Sequence, residues 1–151
     1  MTRVDFYHLK KSSLDQILPK LCEKAYVSGQ RVKVLLGVPE RVDFINSLLW
    51  TYADESFLPH GSKKDGFAAD QPIFISAEEL NENGASLLVL VDGALLPTDK
   101  LLQYERVLNI FDGNDDDAVQ KARQYWKDIK SMGVELHYWQ QTVSGNFEQK
   151  L

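Results

Sequence analysis

The feature that most constrains the fold is a pair of short apolar segments. Val32 to Leu36 is apolar apart from Lys33, and Leu87 to Val91 is apolar at every position. Strands of this kind are typical of parallel sheets, whose two faces are both covered by helices. We therefore expect both segments to be buried strands of an α/β domain.

Segments with helical spacing alternate with these strands. Apolar residues recur every three or four positions from Leu14 to Tyr26, which predicts a helix. Ser12 or Ser13 would cap its start, and Gly29 would end it. Pro19 lies inside this segment, so either the first turn is irregular or the helix proper begins near Pro19, where proline is tolerated.

The remaining elements continue the alternation. We predict a second helix from Pro39 to about Tyr52, a loop from Ala53 to Gln71, and a last helix from Asn114 or Asp115 to Met132. The other predicted strands are Val4–Tyr7, Ile73–Ile75, Arg106–Phe111 and Val134–Trp139, and residues 141–151 are expected to be a frayed tail. This order predicts a single domain over residues 1–151. We expect an α/β fold with a mostly parallel sheet and helices on both faces, Rossmann-like but without nucleotide-binding motifs.

Composition excludes several classes of function. The 151-residue chain has a net charge of −5, and indiscriminate binding to phosphate backbones requires many lysines and arginines, so nucleic acid is not an expected direct ligand. Cys22 is the single cysteine, so no intramolecular disulfide can form, and its helix position favours an inert thiol. The sequence has no apolar stretch that could span a bilayer and no signal-peptide pattern at its start, so we expect a cytoplasmic protein.

The motifs of nucleotide and metal chemistry are missing. The segment 61–64 (Gly-Ser-Lys-Lys) lacks the glycine spacing of a P-loop, and no G-x-G-x-x-G pattern occurs. The three histidines, His8, His60 and His137, are far apart in the sequence, and the chain has only one cysteine. We therefore predict no metal site and no cofactor.

Acidic residues at the ends of two elements have structural explanations. Asp92 follows a predicted strand, where catalytic carboxylates often lie, but Asp92-Gly93 is a typical turn pair, and we prefer that interpretation. Asp115, Asp116 and Asp117 would complement the positive end of the last helix. We therefore predict no catalytic residue and no enzymatic activity.

Trp50 departs from the amphipathic pattern of the second helix. On a helical wheel it lies nearly opposite the apolar stripe, so its indole is expected on the outer face. Phe57 follows in the next loop, and two large aromatic residues outside the core indicate a protein-binding hot spot. A loop that folds back over Trp50 would explain the pattern equally well.

The last predicted helix carries a basic strip. Arg123, Lys127 and Lys130 are spaced at i, i+4 and i+7, with Trp126 at the border of the apolar face. Such a strip suits an acidic peptide with an apolar side chain, and arginine can hold a carboxylate through two parallel hydrogen bonds. On helix statistics alone, a solvated face with ion pairs between neighbouring turns is the more common explanation.

At these residues the sequence resembles the chi subunits of bacterial DNA polymerase III, accessory proteins of the clamp-loader complex. The resemblance is carried by Leu49-Trp50, by residues 55–60 (Glu-Ser-Phe-Leu-Pro-His), and by residues 122–127 (Ala-Arg-Gln-Tyr-Trp-Lys) running to Gly133. Residues 4–7, 28–32 and 71–73 support it. Order and spacing match over essentially the whole chain, and their combination is specific where no single motif is.

The resemblance implies a non-catalytic bridge at the bacterial replication fork. One surface of such proteins binds the acidic, phenylalanine-terminated tail of the single-stranded-DNA-binding protein; the matching residues here are Arg123, Trp126 and Lys127, with Lys130 and Val119 beside them. Another surface binds the psi subunit of the clamp loader, or an accessory helicase, and is matched here by Trp50 and Phe57. No membrane partner is implied.

Two departures from the family pattern bear on the first surface. Val119 stands where some members carry a lysine, and Trp126 replaces a tyrosine, which keeps a ring and removes a hydroxyl.

Two other functions share parts of the same pattern. One is a small nucleotide-binding enzyme that uses the strand ends near Gly37 and Asp92, and the other is a protein-interaction adaptor of another pathway.

Overall fold

The structure, a computed structural model, describes residues 2–53 and 58–151. Its α-helices are α1 (Leu14–Val27), α2 (Val42–Thr51) and α3 (Asp116–Lys130). Its strands are β1 (Arg3–Leu9), β2 (Val32–Leu36), β3 (Gly61–Ser62), β4 (Ile73–Ser76), β5 (Leu87–Val91), β6 (Arg106–Asp112), β7 (Glu135–Gln141) and β8 (Phe147–Gln149). Short 3-10 turns cover Pro39–Arg41, Lys63–Asp65, Ala68–Asp70 and Thr98–Gln103. No helix in these ranges is both long enough and apolar enough to cross a membrane.

One sheet joins all eight strands in the order β3-β4-β2-β5-β6-β1-β7-β8. Neighbouring strands are parallel throughout, except that β7 and β8 are antiparallel. The two apolar segments at β2 and β5 are adjacent and completely buried. The predicted α/β fold with a mostly parallel sheet is confirmed.

Helices cover both faces of the sheet, as predicted. On one face, α1 and α2 pack Leu18, Cys22, Ile45 and Leu49 against the sheet. On the other face, α3 packs together with the segment that follows β5. The thiol of Cys22 is buried, and burial raises its pKa to about 12, which keeps it protonated and inert.

Helix α1 begins earlier than Pro19. Ser13 is its cap and forms a capping box with Gln16, and the helix then continues through Pro19, which is buried. The start near Pro19 is therefore wrong: burial of the apolar face of α1 outweighs the one hydrogen bond that proline cannot donate. At the other end Gly29, at φ 79°, closes the helix as predicted.

The segment after Gln141 forms a further strand, so the prediction of a frayed tail is wrong. Phe147–Gln149 pairs with β7, and Gln141 is itself buried. Its Oε1 accepts hydrogen bonds from the amides of Lys10, Lys11 and Ser12 at 3.1, 2.9 and 2.9 Å. The segment is held by contacts with the end of β1, which its polar composition does not reveal.

Asp5 joins three strands through one buried carboxylate. Its oxygens accept hydrogen bonds from Arg3 Nε at 3.1 Å, Arg106 Nε at 3.0 Å and Trp139 Nε1 at 3.0 Å. Burial raises the pKa of this carboxyl, but the hydrogen bonds from Arg3, Trp139 and Arg106 outweigh burial and hold the pKa below its ordinary value. Asp5 is therefore an anion that fixes β1 between β6 and β7.

Lys33 is a second buried charge, which the apolar character of its segment did not predict. Its Nζ donates to Ser76 Oγ at 2.6 Å, to the carbonyls of Glu78 and Leu80 at 3.0 and 2.8 Å, and forms an ion pair with Glu82. These bonds tie the segment after β4 to the sheet.

Candidate protein-interaction surfaces

Acidic residues cap the N-terminus of helix α3 and occupy its first turn. The carboxylate of Asp115 accepts hydrogen bonds from the amides of Asp117 and Ala118 at 3.0 and 3.3 Å, and Asp116 and Asp117 occupy the first turn. Negative charge at this end stabilises the helix dipole. The capping role predicted for these residues is confirmed, and no cluster of three or more metal-binding side chains occurs within residues 2–53 and 58–151.

The inner face of α3 fixes which residues point outward. Val119, Ala122, Tyr125 and Ile129 are buried against the sheet. Tyr125 also donates its hydroxyl proton to the carbonyl of Leu96 at 2.6 Å. The apolar face predicted from spacing is confirmed. Val119, at 9% exposure, belongs to this buried face, so little of its side chain reaches the surface.

Three cations lie on the outer face of α3. Arg123, Lys127 and Lys130 are exposed, and none of them forms an ion pair with any residue that the structure describes. The acidic side chain nearest in sequence to this strip, Asp128, accepts a hydrogen bond from Gln124 at 2.9 Å. The three cations are exposed, as the alternative of a solvated helix face predicts. The ion pairs between neighbouring turns that the same alternative predicts are not found in the described part of the chain.

Trp126 lies where the strip meets the core. It is partly buried, and its ring packs edge-on against Phe6 and Tyr138, with centroid distances of 5.3 and 5.9 Å. The border position predicted for Trp126 is confirmed. We call Arg123, Trp126, Lys127 and Lys130, with Val119 at their buried edge, the α3 surface.

Behind Trp126 lies a polar pair that the sequence did not predict. His8 Nδ1 and the Tyr138 hydroxyl are 2.6 Å apart, and His8 is 8% exposed. Burial lowers the pKa of His8, and the charges of Lys10 and Arg123 lower it further. His8 shares a face with Val4 and Phe6 by the two-residue period of β1, and this period is the one sequence signal that could have placed it under α3.

Trp50 lies on the opposite side of the sheet. Ile45 and Leu49 bury the inner face of α2, while Trp50 is 46% exposed, which confirms its predicted position outside the apolar stripe. Its ring lies 4.4 Å from that of His60. Phe57 lies outside the residues that the structure describes. We call the exposed side of Trp50 the α2 surface.

Phe67 is an aromatic residue near α2 that the sequence did not single out. It is 79% exposed and has a φ of 55°, a conformation that bulky residues rarely adopt. The segment that leads to it is bound to α2, since Lys64 pairs with Asp43 at 2.7 Å and Asn46 donates to Asp65 at 3.1 Å.

At the strand ends where a nucleotide would bind, several polar groups are already paired within the chain. A crevice of about 760 Å³ lies at the carboxyl ends of β1, β5 and β6. Asp92 and Gly93, at φ 52° and 79°, form a turn there, and Arg41 Nε donates to Asp92 at 3.0 Å. The turn interpretation of Asp92 is confirmed. The three amides after β1, which would suit a phosphate, are already bound to Gln141. Gly37 is needed for packing, since a Cβ there would lie 2.4 Å from the carbonyl oxygen of Asp92.

Lys33 and Ser76 resemble a serine–lysine nucleophile pair in their 2.6 Å contact. Burial lowers the pKa of Lys33, although the hydrogen bond and charge of Glu82 oppose that fall, and its Nζ is already bound by two carbonyls as well. Ser76 is only 6% exposed. The pair is a buried structural contact without access for a substrate.

Comparison with known proteins identifies the family. The family model described as "DNA polymerase III chi subunit, HolC" matches residues 1–137. The chain belongs to this chi subunit family. The family resemblance seen in the sequence is thereby confirmed.

Two curated members of the family are similar to the chain. The "Probable DNA polymerase III subunit chi" of Rickettsia prowazekii is 35% identical over 113 residues, which cover 74% of this chain and 66% of the relative. The "DNA polymerase III subunit chi" of Pseudomonas aeruginosa is 29% identical over 92 residues, covering 59% of this chain and 63% of the relative. The matched part is thus slightly less than two thirds of the length of each relative.

Proposed function

We propose that this chi-family chain is a non-catalytic accessory subunit of the DNA polymerase III clamp-loader complex, acting in the cytoplasm at the replication fork. Its α3 surface would bind the acidic C-terminal tail of the single-stranded-DNA-binding protein. The observation that carries this proposal is the set of exposed cations on α3, none ion-paired within the described residues, beside the partly buried indole of Trp126.

Local charge is essential to this binding. The chain has a net charge of −5, so an acidic tail gains no attraction from the protein as a whole. Arg123, Lys127 and Lys130 supply a local positive field, and the edge of Trp126 offers an apolar contact for a phenylalanine ring. Because the cations are exposed, binding should be of modest affinity and should weaken with salt.

Fluorescence anisotropy of a labelled acidic peptide ending in Pro-Phe tests the proposal. Arg123→Ala should weaken binding at least about tenfold, because a bidentate charge-assisted contact is lost. Arg123→Lys should restore only part of the affinity, since lysine keeps the charge without the fork. Lys20→Ala, which removes one exposed charge from α1 on the other face of the sheet, is the matched control and should bind as wild type. Equal affinities for wild type and Arg123→Ala would contradict the proposal.

We also propose that the α2 surface binds the psi subunit of the clamp loader, or an accessory helicase. Its support is the 46% exposure of Trp50 in a chain that belongs to the chi family. Because α2 and α3 pack on opposite faces of the sheet, both partners could be held at once, which is what a bridge requires. Trp50→Ala should reduce capture of a psi partner in a pull-down while peptide binding stays unchanged. Loss of both partners in a folded Trp50→Ala protein would refute two separate surfaces.

A further inference from the structure

Strand β8 is an open edge of the sheet. It is the last strand in the order, and among the described residues it pairs only with β7. The amide of Lys150 donates to the carbonyl of Tyr138 at 2.7 Å. Because the backbone groups of an antiparallel strand alternate in direction, Phe147 and Gln149 direct their N–H and C=O groups away from β7. An edge of this kind is a template for a further strand.

The exposed side chains of this edge carry a short charge pattern. Glu148 and Lys150 are exposed, share one face of the strand and lie within 3.3 Å of each other. Charged side chains on a sheet edge usually keep a second chain away. Here, however, the two charges have opposite signs and are two residues apart, so an antiparallel copy of the same strand can match both.

The charges also select one register for such a pair. An antiparallel pair that keeps the outward backbone groups opposite each other can be centred on residue 148, 149 or 150. Centring on Glu148 would oppose that carboxylate to its own copy, and centring on Lys150 would oppose two ammonium groups, and both are destabilising. Centring on Gln149 places each Glu148 opposite Lys150 of the other copy, so this register is favoured.

We propose that β8 is a self-association edge, through which two copies of this chain pair antiparallel about Gln149. The occupant is a second copy because one strand supplies both halves of the charge pattern. The contact is short, so the dimer is weak and its formation depends on concentration. Strand β8 lies beyond residues 1–137, which the family model matches, and this edge is separate from the α2 and α3 surfaces.

The symmetry of this pair has a consequence for the α3 surface. The two-fold axis of an antiparallel strand pair is perpendicular to the sheet, so helix α3 of both copies lies on the same side of the joined sheet. Two α3 surfaces would then face a ligand that carries two acidic tails, and simultaneous binding would raise the overall affinity. This consequence rests on the proposed function of the α3 surface, whereas the pairing of β8 does not.

Sedimentation velocity of the full chain, from about 0.01 to 1 mM, tests the pairing. The sedimentation coefficient should rise with concentration toward that of a dimer. Lys150→Glu opposes carboxylates across the pair and should weaken dimerisation at least about tenfold. Lys20→Glu makes the same charge change at an exposed position of α1 and should dimerise as wild type. A wild type that stays monomeric at the highest concentration, or a Lys150→Glu variant that dimerises as wild type, would overturn the proposal.

Charge-exchanged variants separate pairing from damage to β8 itself. Glu148→Lys puts two lysines on the edge, and Lys150→Glu puts two glutamates there, so each variant alone should dimerise weakly. An equimolar mixture of the two should form a heterodimer, because each lysine then faces a glutamate. The double variant Glu148→Lys/Lys150→Glu restores opposite charges and should dimerise as wild type. If neither the mixture nor the double variant dimerises while wild type does, the proposed register is wrong.

Hydrogen exchange, followed by nuclear magnetic resonance on the ¹⁵N-labelled full chain, locates the contact. The outward amide of Gln149 should exchange more slowly at the highest concentration than in dilute solution. The amide of Lys150 is already bound to Tyr138 and is the matched control, with the same rate in both samples. Unchanged exchange at Gln149 in a dimeric sample would overturn the proposal. None of these measurements uses the acidic peptide, so their failure leaves the proposed function of the α3 surface standing.

Discussion

Trp126 and Trp50 lie on opposite faces of one sheet, and their surroundings differ. Trp126 is partly buried against Phe6 and Tyr138 and stands among cations. Trp50 is 46% exposed and rests on His60. A supported indole among charges suits a small anionic ligand, whereas a protruding indole suits the apolar pocket of a larger partner. The two faces of one α/β sheet thus carry aromatic surfaces of different character, one supported and positively charged, the other exposed.

The largest effect on stability is expected from neutralising Asp5, which lies on the face of β1 opposite α3. Asp5→Asn should lower the free energy of unfolding by about 2–3 kcal/mol, because a neutral amide replaces the buried carboxylate that accepts hydrogen bonds from Arg3, Arg106 and Trp139. Urea unfolding measures this loss. Glu135→Gln removes an exposed carboxylate 3.6 Å from the same Arg3 and should cost less than about 1 kcal/mol. Similar losses in the two variants would contradict the structural role of Asp5.

Acid should act on the same carboxylate. The pKa of Asp5 is lowered in the folded state, so its ionised form stabilises the fold above the unfolded-state value of about 4. That stabilisation is lost as the pH falls through the lower folded-state pKa. Urea midpoints measured below about pH 4 should therefore fall more steeply for wild type than for Asp5→Asn. Parallel pH profiles would show that Asp5 is not linked to stability.

The two tryptophans should differ in their contribution to stability. Trp126→Ala should lower the free energy of unfolding by about 2 kcal/mol, since it removes a partly buried ring from an aromatic cluster. Trp50→Ala should cost about 1 kcal/mol or less because much of its ring is already exposed. Thermal or urea unfolding of both variants checks the order. A larger loss for Trp50→Ala would reverse the comparison between a supported and a protruding indole.

Salt concentration should have the smallest of these effects, and it should distinguish binding at the α3 surface from binding at the α2 surface. Peptide binding at the α3 surface should weaken several-fold as the salt concentration is raised from about 0.05 to 0.5 M, because exposed cations are screened. Partner binding at the α2 surface should change little, since apolar contacts are not weakened by salt. Titrations of both partners over the same salt series make the measurement. Equal salt sensitivity would show that the two surfaces do not differ in chemistry.

Much of the framework followed from local patterns in the sequence. The predicted strands at β2 and β5, the inner face of α3, the turn at Asp92 and the outward position of Trp50 all agree with the structure. Each depends on the periodicity or turn preference of a few consecutive residues, which the chain carries with it. The choice between a start of α1 at Ser13 and one near Pro19 could not be made from the sequence, and the pairing of β8 was not predicted, because packing against distant segments decides both.

By itself the sequence determined the fold class and the composition of both surfaces, since spacing along a helix or strand fixes which side chains share a face. Only the tertiary structure decided that His8 forms a hydrogen bond with Tyr138, which is 130 positions away. It also decided that the side chain of Gln141 accepts hydrogen bonds from the three amides after β1. The physical reason is that periodicity says which face a residue occupies but not which strand lies beside it. The order of strands in the sheet sets those neighbours, and with them the polar groups behind the α3 surface.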